Sequence, residues 1–101
     1  MMQVIWSCLA DSRRIEIIEF IMADDVDAAV RMDLLFDEAD DRLSKYPECG
    51  RNGRIVGTKE LVVHQNYILI YRLHNDRVEI LTVVHAAQEY PPQVFTQGCP
   101  E

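Results

Sequence analysis

The spacing of apolar residues changes once along this chain, at residues 47–57. Before that segment they recur at intervals of three and four, the period of an amphipathic helix. After it, runs rich in Val, Ile, Leu and Tyr are separated by short polar turns, which is typical of β-strands. The segment contains three glycines and a proline, so we predict a loop there. We therefore expect a helical half to pack against a sheet.

The helical half is predicted to contain two antiparallel helices. Ser7 is a favourable N-cap residue, and residues 8–22 lack glycine and proline. The apolar stripe predicted for this first helix consists of Ile15, Ile18 and Met22, with Ile17 and Ile21 beside them. Asp24 and Asp25 interrupt the pattern and provide an N-cap for a second helix, which ends at Pro47. Its predicted stripe consists of Met32, Phe36, Ala39, Leu43 and Tyr46.

Three further strands are predicted at residues 58–64, 67–74 and 77–85. The turns between them, 65–66 and 75–76, are short enough for two successive hairpins. A β-prone run at residues 4–6 is expected to add to an edge of the sheet. The predicted fold is α+β with the order β-α-α-β-β-β, in which two antiparallel helices pack on a small, mainly antiparallel four-stranded sheet. Residues 1–92 are expected to form one domain and residues 93–101 a C-terminal tail.

Strict alternation along the last two strands predicts which side chains share a face of the sheet. One face of the first of these strands carries Tyr67, Leu69, Tyr71 and Leu73, and the other carries Ile68, Ile70 and Arg72. In the last strand the alternation places two sets of side chains on different faces of the sheet. One set is Val78, Ile80, Thr82 and Val84, and the other is Leu81, Val83 and His85. Two helices cover only one face, so the second face either meets another chain or is covered by the tail, residues 91–101.

The net charge of −7 lies entirely in the first half of the chain. Residues 1–50 carry twelve acids and five bases, whereas residues 51–101 carry five of each. Acidic outer faces on the two helices account for this excess, and we expect them to be solvated. Because net acidity repels nucleic acid at long range, an anionic ligand is expected to meet the second half.

Composition also excludes several classes of protein. No apolar run approaches the roughly 18 residues needed to cross a bilayer, and residues 1–10 do not have the pattern of a signal peptide. We therefore expect a soluble, cytoplasmic protein. The three cysteines and three histidines have none of the spacings of zinc sites, so no metal ion or other cofactor is expected.

Several motifs in the second half resemble those of the RelE/ParE toxin superfamily. They are GRIVGTKELVV at 53–63, NYILIYR at 66–72, VEIL at 78–81, VH at 84–85 and YP at 90–91. His85, Gln88 and Pro91 form a terminal HxxQxxP pattern. The resemblance spans nearly the whole chain, and the order β-α-α-β-β-β agrees with it independently.

The resemblance implies a growth-arresting toxin of a type II toxin-antitoxin system that a cognate antitoxin neutralises. RelE-like members of the superfamily cleave mRNA on the ribosome without a metal ion, whereas ParE-like members poison DNA gyrase. Cleavage by a 2′-hydroxyl needs a proton acceptor, a proton donor and cations around the phosphate. We expect a ribosome-dependent endoribonuclease, or mRNA interferase, with a gyrase inhibitor and a non-toxic binding module as the alternatives. An acidic helical face is expected to meet a basic antitoxin segment, and the second face of the sheet an added strand or helix.

The resemblance also indicates which residues form the site. Lys59 lies where relatives often have a basic residue and could bind phosphate, His85 is a candidate acid or base, and Tyr90 is a candidate proton donor or stacking ring. Arg54 and Arg72 are candidate RNA or phosphate ligands, although Arg72 could instead pair with Glu79.

The site departs from the superfamily pattern at Ala87. Many relatives have an arginine two residues after the histidine, where it could stabilise the developing phosphorane. Alanine removes this cation from the predicted catalytic set of Lys59, His85, Ala87 and Tyr90. We therefore predict weak or absent RNA cleavage, whether Ala87 is natural or was introduced.

Overall fold

The structure, a computed structural model, describes residues 1–87 of the chain. The predicted order β-α-α-β-β-β is confirmed, with one addition: a two-residue strand lies inside the predicted loop. The elements are β1 (Gln3–Trp6), α1 (Cys8–Met22), α2 (Val26–Lys45), β2 (Arg51–Asn52), β3 (Lys59–His64), β4 (Tyr67–Leu73) and β5 (Arg77–His85).

Both helices begin at the predicted N-cap residues. The Ser7 hydroxyl accepts a hydrogen bond from the Ala10 N–H at 3.0 Å and also donates to the carbonyl of Leu81 in β5. The Asp25 carboxylate accepts from the Ala28 N–H at 3.1 Å. Each cap satisfies a backbone donor that has no partner within its own helix. The Ser7 cap also fixes the start of α1 against the sheet.

The sheet has the strand order β1-β5-β4-β3-β2. β2, β3, β4 and β5 are antiparallel neighbours, whereas β1 pairs in parallel with β5, with Val4 opposite Val78. The prediction that the N-terminal run forms an edge strand is therefore confirmed. Backbone and hydroxyl hydrogen bonds between Met2 and Ser44 tie β1 to the end of α2.

The helices pack on one face of the sheet and form the larger core with it. Phe36, Leu43, Leu69, Tyr71 and Ile80 are completely buried there. The predicted stripe of α2 is confirmed except at Tyr46, which is 66% exposed. The predicted stripe of α1 is wrong at Ile15 and Met22, which lie on the outer surface, while Ile17, Ile18 and Ile21 pack against the core. α1 has apolar residues on more than one side, so its period alone could not identify the buried face.

A β-bulge in β5 changes which side chains share a face. Ile70 pairs with Thr82 but Tyr71 pairs with Ile80, so Leu81 is an extra residue between the two pairs. As a result, Val83 joins Val78 and Ile80 in the core beneath the helices. The predicted alternation along β5 therefore holds through Leu81 and is wrong from Thr82 onward.

The second face of the sheet carries a smaller core. Ile68, Ile70 and Val84 are buried there, and Ile55, Leu81 and Ala86 pack against them. Ile55 comes from the segment before β3, so this segment covers part of the face. The tail, which was one of the two predicted covers of this face beside another chain, lies outside the described residues. Within residues 1–87, no helix combines the length and the apolar character that a bilayer crossing requires.

Candidate functional site

Three of the predicted cationic residues lie at one end of the sheet. Lys59 begins β3 directly opposite Tyr71, and Arg72 follows Tyr71 in β4. Because successive strand residues point to opposite faces, the Lys59 side chain lies on the helix-packed face and that of Arg72 on the other. Arg54 is exposed in the loop between β2 and β3, residues 53–58. Arg54, Lys59 and Arg72 therefore make this end of the sheet cationic.

A buried carboxylate organises this end. Glu60 is only 3% exposed, and both the Nε and the Nη2 atoms of Arg51 approach its Oε1 at 3.0 Å. Its other oxygen accepts from the Arg54 N–H at 3.3 Å. A buried carboxylate needs such partners to offset its desolvation. Glu60 therefore holds the β2–β3 loop to the sheet and uses Arg51 to do so, which leaves Arg51 committed to structure.

The buried phenol of Tyr71 ties the preceding segment to the same place. Its hydroxyl accepts from the Gly50 N–H at 3.0 Å and donates to the Pro47 carbonyl at 2.9 Å. Burial raises the pKa of Tyr71, and the Gly50 hydrogen bond partly opposes that rise. A β-carbon on Gly50 would lie 2.6 Å from the hydroxyl, so glycine is required for this approach.

Arg72 does not form the cross-strand ion pair that was one of its two predicted roles. Glu79 is its register partner in β5, but the Glu79 Oε1 lies 2.9 Å from the Nε2 atom of His74. Neither Arg72 nor Lys59 makes an ion pair with another residue of the described chain, 1–87. Both side chains are therefore available to an anionic ligand.

His85 lies at the opposite end of the sheet, across from Tyr67. The two ring centroids are 5.6 Å apart with an edge-to-face angle of 75°. The Ala87 N–H donates to His85 Nδ1 at 3.2 Å, so the neutral imidazole carries its proton on Nε2. Ala87 is exposed in the turn after β5, and Tyr90 lies outside the described residues.

The structure does not bring Lys59 and His85 together. Their partners in β4 are Tyr71 and Tyr67, four residues apart. At about 3.3 Å per residue along a strand and about 4.8 Å between strands, the two α-carbons are about 16 Å apart. The predicted catalytic residues therefore divide between two ends of the sheet.

Sequence reasoning missed an aromatic row beside His85. His64 and His85 flank Tyr67 in neighbouring strands, with His64 and Tyr67 centroids 6.1 Å apart. His64 and Tyr67 border a pocket of about 560 Å³ that also includes Phe20 and Arg31 from the helices. The two-residue turn at 65–66 was the available signal, since it pairs His64 with Tyr67 across the hairpin.

An apolar groove between the two helices was also missed. Ile15, Met22, Val30 and Leu34 line it and are 46–56% exposed. The groove has a volume of about 500 Å³, and Asp11, Glu19 and Asp33 lie among its lining residues. The predicted acidic helical face thus contains an apolar centre, which the outward Ile15 and Met22 of α1 create.

Comparison with known proteins identifies relatives along most of the chain. Residues 4–90 match the family model described as the ParE toxin of the type II toxin-antitoxin system parDE. The chain is similar to a putative toxin, Y4kP, of Sinorhizobium fredii, with 47% identity over 85% of this chain and 90% of that protein. It is also similar to toxin RelE2 of Caulobacter vibrioides, with 35% identity over 87% of this chain and 99% of that protein.

Solved structures share the fold at lower sequence identity. A structure from a chromosomal ParDE toxin-antitoxin system of P. aeruginosa superposes with a TM-score of 0.75 and 17% identity, covering 84% of this chain and 96% of that chain. The solution structure of HP0894 from Helicobacter pylori gives a TM-score of 0.54 at 10% identity, covering 87% and 98%.

Proposed function

Because the chain belongs to the ParE toxin family of type II toxin-antitoxin systems, we propose that it arrests growth by binding DNA gyrase rather than by cleaving RNA. The observation that carries this proposal is the separation of Lys59 from His85. A base and an acid that act on one phosphate must both lie within hydrogen-bond reach of it. Strand side chains stand roughly perpendicular to the sheet, so two groups whose α-carbons are about 16 Å apart would have to lean fully toward each other along its surface to share one phosphate.

The residue at position 87 supports the same proposal. Ala87 brings no charge to the end of the sheet that holds His85. The cations at the other end, Lys59 and Arg72, lie on opposite faces of the sheet. A phosphorane needs concentrated positive charge, whereas cations spread over two faces of a sheet suit contacts with an acidic protein surface better.

Ribosome-dependent mRNA cleavage stays the competing prediction, and the geometry of His85 favours it. Its imidazole is exposed, and because Nδ1 accepts from the Ala87 N–H, the Nε2–H of the neutral ring could donate a hydrogen bond to a phosphate oxygen. Tyr67 stacks edge-on against it and would present a ring face to a base. This alternative requires the rest of the machinery to come from the ribosome or from residues beyond position 87.

A toxin of this family is expected to have a cognate antitoxin. We place the antitoxin contact in the groove between α1 and α2, as an amphipathic helix with basic residues at its margins. The exposed apolar residues Ile15, Met22, Val30 and Leu34 would pack against its apolar face, and Asp11 and Glu19 would meet its bases. A second copy of this chain does not suit the groove as well, because the acidic margins of two such hairpins would repel each other.

The test expresses the wild-type chain and Ala87→Arg in cells and reads growth, mRNA integrity and plasmid supercoiling from the same cultures. We expect growth arrest with altered supercoiling and intact mRNA for both, since an arginine at 87 still lies far from Lys59. Purified gyrase should bind the purified toxin and lose supercoiling activity. Fragmented mRNA with unchanged supercoiling would replace the proposal by the nuclease, and no growth arrest at all would favour the non-toxic binding module.

A further inference from the structure

The β2–β3 loop carries a fully exposed valine at its tip. Val56 is 97% exposed, the largest exposed fraction among the large hydrophobic residues of the described chain. Gly57 follows with a φ of 85°, which turns the backbone sharply beyond it and favours glycine. A single exposed apolar side chain is ordinary on a protein surface. The surroundings of Val56 distinguish it.

The loop is fixed on both sides of its tip. The Gly53 N–H donates to the Thr58 carbonyl at 2.9 Å, and the Thr58 hydroxyl donates to the Ile55 carbonyl at 2.6 Å. Thr58 is 4% exposed, and a β-carbon at Gly53 would collide with its hydroxyl. Ile55 packs into the smaller core on the second face. The loop is therefore already ordered in the folded protein, and binding a partner through Val56 costs the loop little further conformational entropy.

Positive charge around the tip of the loop favours a partner with an acidic surface. Arg54 precedes Val56 on the loop, Lys59 follows it, and Arg72 lies at the same end of the sheet. The acidic excess of the chain lies in residues 1–50, which the helices occupy. An acidic surface is therefore attracted to the loop and repelled by the helical half, which orients the encounter.

We propose that the β2–β3 loop is a preformed protein-binding element, in which Val56 enters an apolar socket ringed by carboxylates on the toxin's target. The positive charges of Arg54 and Lys59 attract the ring of carboxylates. This inference rests on the proposed function in that the target is a protein, and gyrase is that target if the proposed function holds. An apolar anchor in a desolvated socket with charges at its margin is the usual arrangement of a binding hot spot.

The test compares Val56→Asp with Val26→Asp, an identical substitution at a valine that is 59% exposed at the start of α2. We expect Val56→Asp to bind purified gyrase at least about tenfold more weakly than the wild type and to lose growth arrest. Val26→Asp should match the wild type in both. Arg54→Glu should weaken binding in the same direction, with Arg42→Glu on α2 as its charge-matched control. Thermal melts should leave all four variants folded.

Each remaining outcome is decisive. Growth arrest by Val56→Asp equal to the wild type overturns the inference, and so does an equal loss in Val26→Asp. If Val56→Asp instead loses antitoxin binding or self-association while toxicity persists, the loop serves that partner and the inference is wrong. If wild-type toxin fails to bind gyrase, the proposed function fails, but the contrast in growth arrest between Val56→Asp and Val26→Asp still decides whether the loop engages a target.

Discussion

Replacing Tyr71 with phenylalanine should destabilise the fold by about 2 kcal/mol. The substitution keeps the buried ring but removes the hydroxyl that bonds Gly50 and Pro47. Each lost hydrogen bond is worth about 1 kcal/mol, and the backbone groups left behind lose a partner in a partly buried site. For a domain of this size, about 2 kcal/mol corresponds to a fall in Tm of about 8–16 °C.

The assay is urea denaturation with a thermal melt, and Tyr46→Phe is the control because Tyr46 is 66% exposed. Tyr46→Phe should leave stability within about 0.5 kcal/mol of the wild type. A similarly small change for Tyr71→Phe would refute the view that its hydroxyl anchors the segment before β2.

The stability of the protein at alkaline pH tests the role of the Tyr71 hydroxyl a second time. Burial raises the pKa of Tyr71 above 10.0, its value without burial, so the unfolded chain releases this proton first. The contribution to stability is therefore complete below about pH 10 and is lost as the pH rises through the folded-state pKa. The stability difference between wild type and Tyr71→Phe should narrow over that range. A difference that stays constant above pH 10 would contradict the assignment.

Two further predictions concern the helical hairpin. Arg14→Met should lower the free energy of unfolding by about 1 kcal/mol, because it removes the ion pairs of 2.8 and 2.9 Å to the partly exposed Asp33 and Asp37 while an apolar side chain stays over Trp6. Urea denaturation at low and high salt checks this prediction. A loss of stability that does not shrink with salt would contradict the ion-pair explanation. Val30→Glu should weaken antitoxin binding at least about tenfold by placing a charge in the apolar groove, without changing Tm, since Val30 is 53% exposed. Co-expression with the antitoxin checks this second prediction, and full neutralisation of the variant would exclude the groove as the antitoxin contact.

Local signals determined most of the fold from the sequence. Ser7 and the pair Asp24 and Asp25 predicted both helix starts because their side chains can satisfy free N–H groups within one turn, and the structure forms caps at Ser7 and Asp25. The turns at 65–66 and 75–76 predicted the hairpins because a short turn leaves the flanking strands no other partner as close. The apolar period of α2 predicted Phe36 and Leu43 in the core.

The candidate site was less predictable. The sequence named Lys59, His85, Ala87, Tyr90, Arg54 and Arg72 as single positions, and the roles of these residues stay predictions. Their grouping depends on strand register, which places Lys59 opposite Tyr71 and His85 opposite Tyr67. It also depends on Glu60, whose burial decides that Arg51 is structural. Neither property is visible in residue type or spacing alone.

The sequence by itself therefore determined every element except β2, their order and the division of charge between the two halves, because caps, turns and periodicity act between residues close in the chain. Only the tertiary structure decided which side of α1 is buried, where β1 joins the sheet and where β5 bulges. The bulge at Leu81 sets the face on which His85 lies, in a strand that pairs with β4 on one side and β1 on the other. Such choices depend on contacts between residues distant in sequence, and these contacts exist only once the whole sheet has formed.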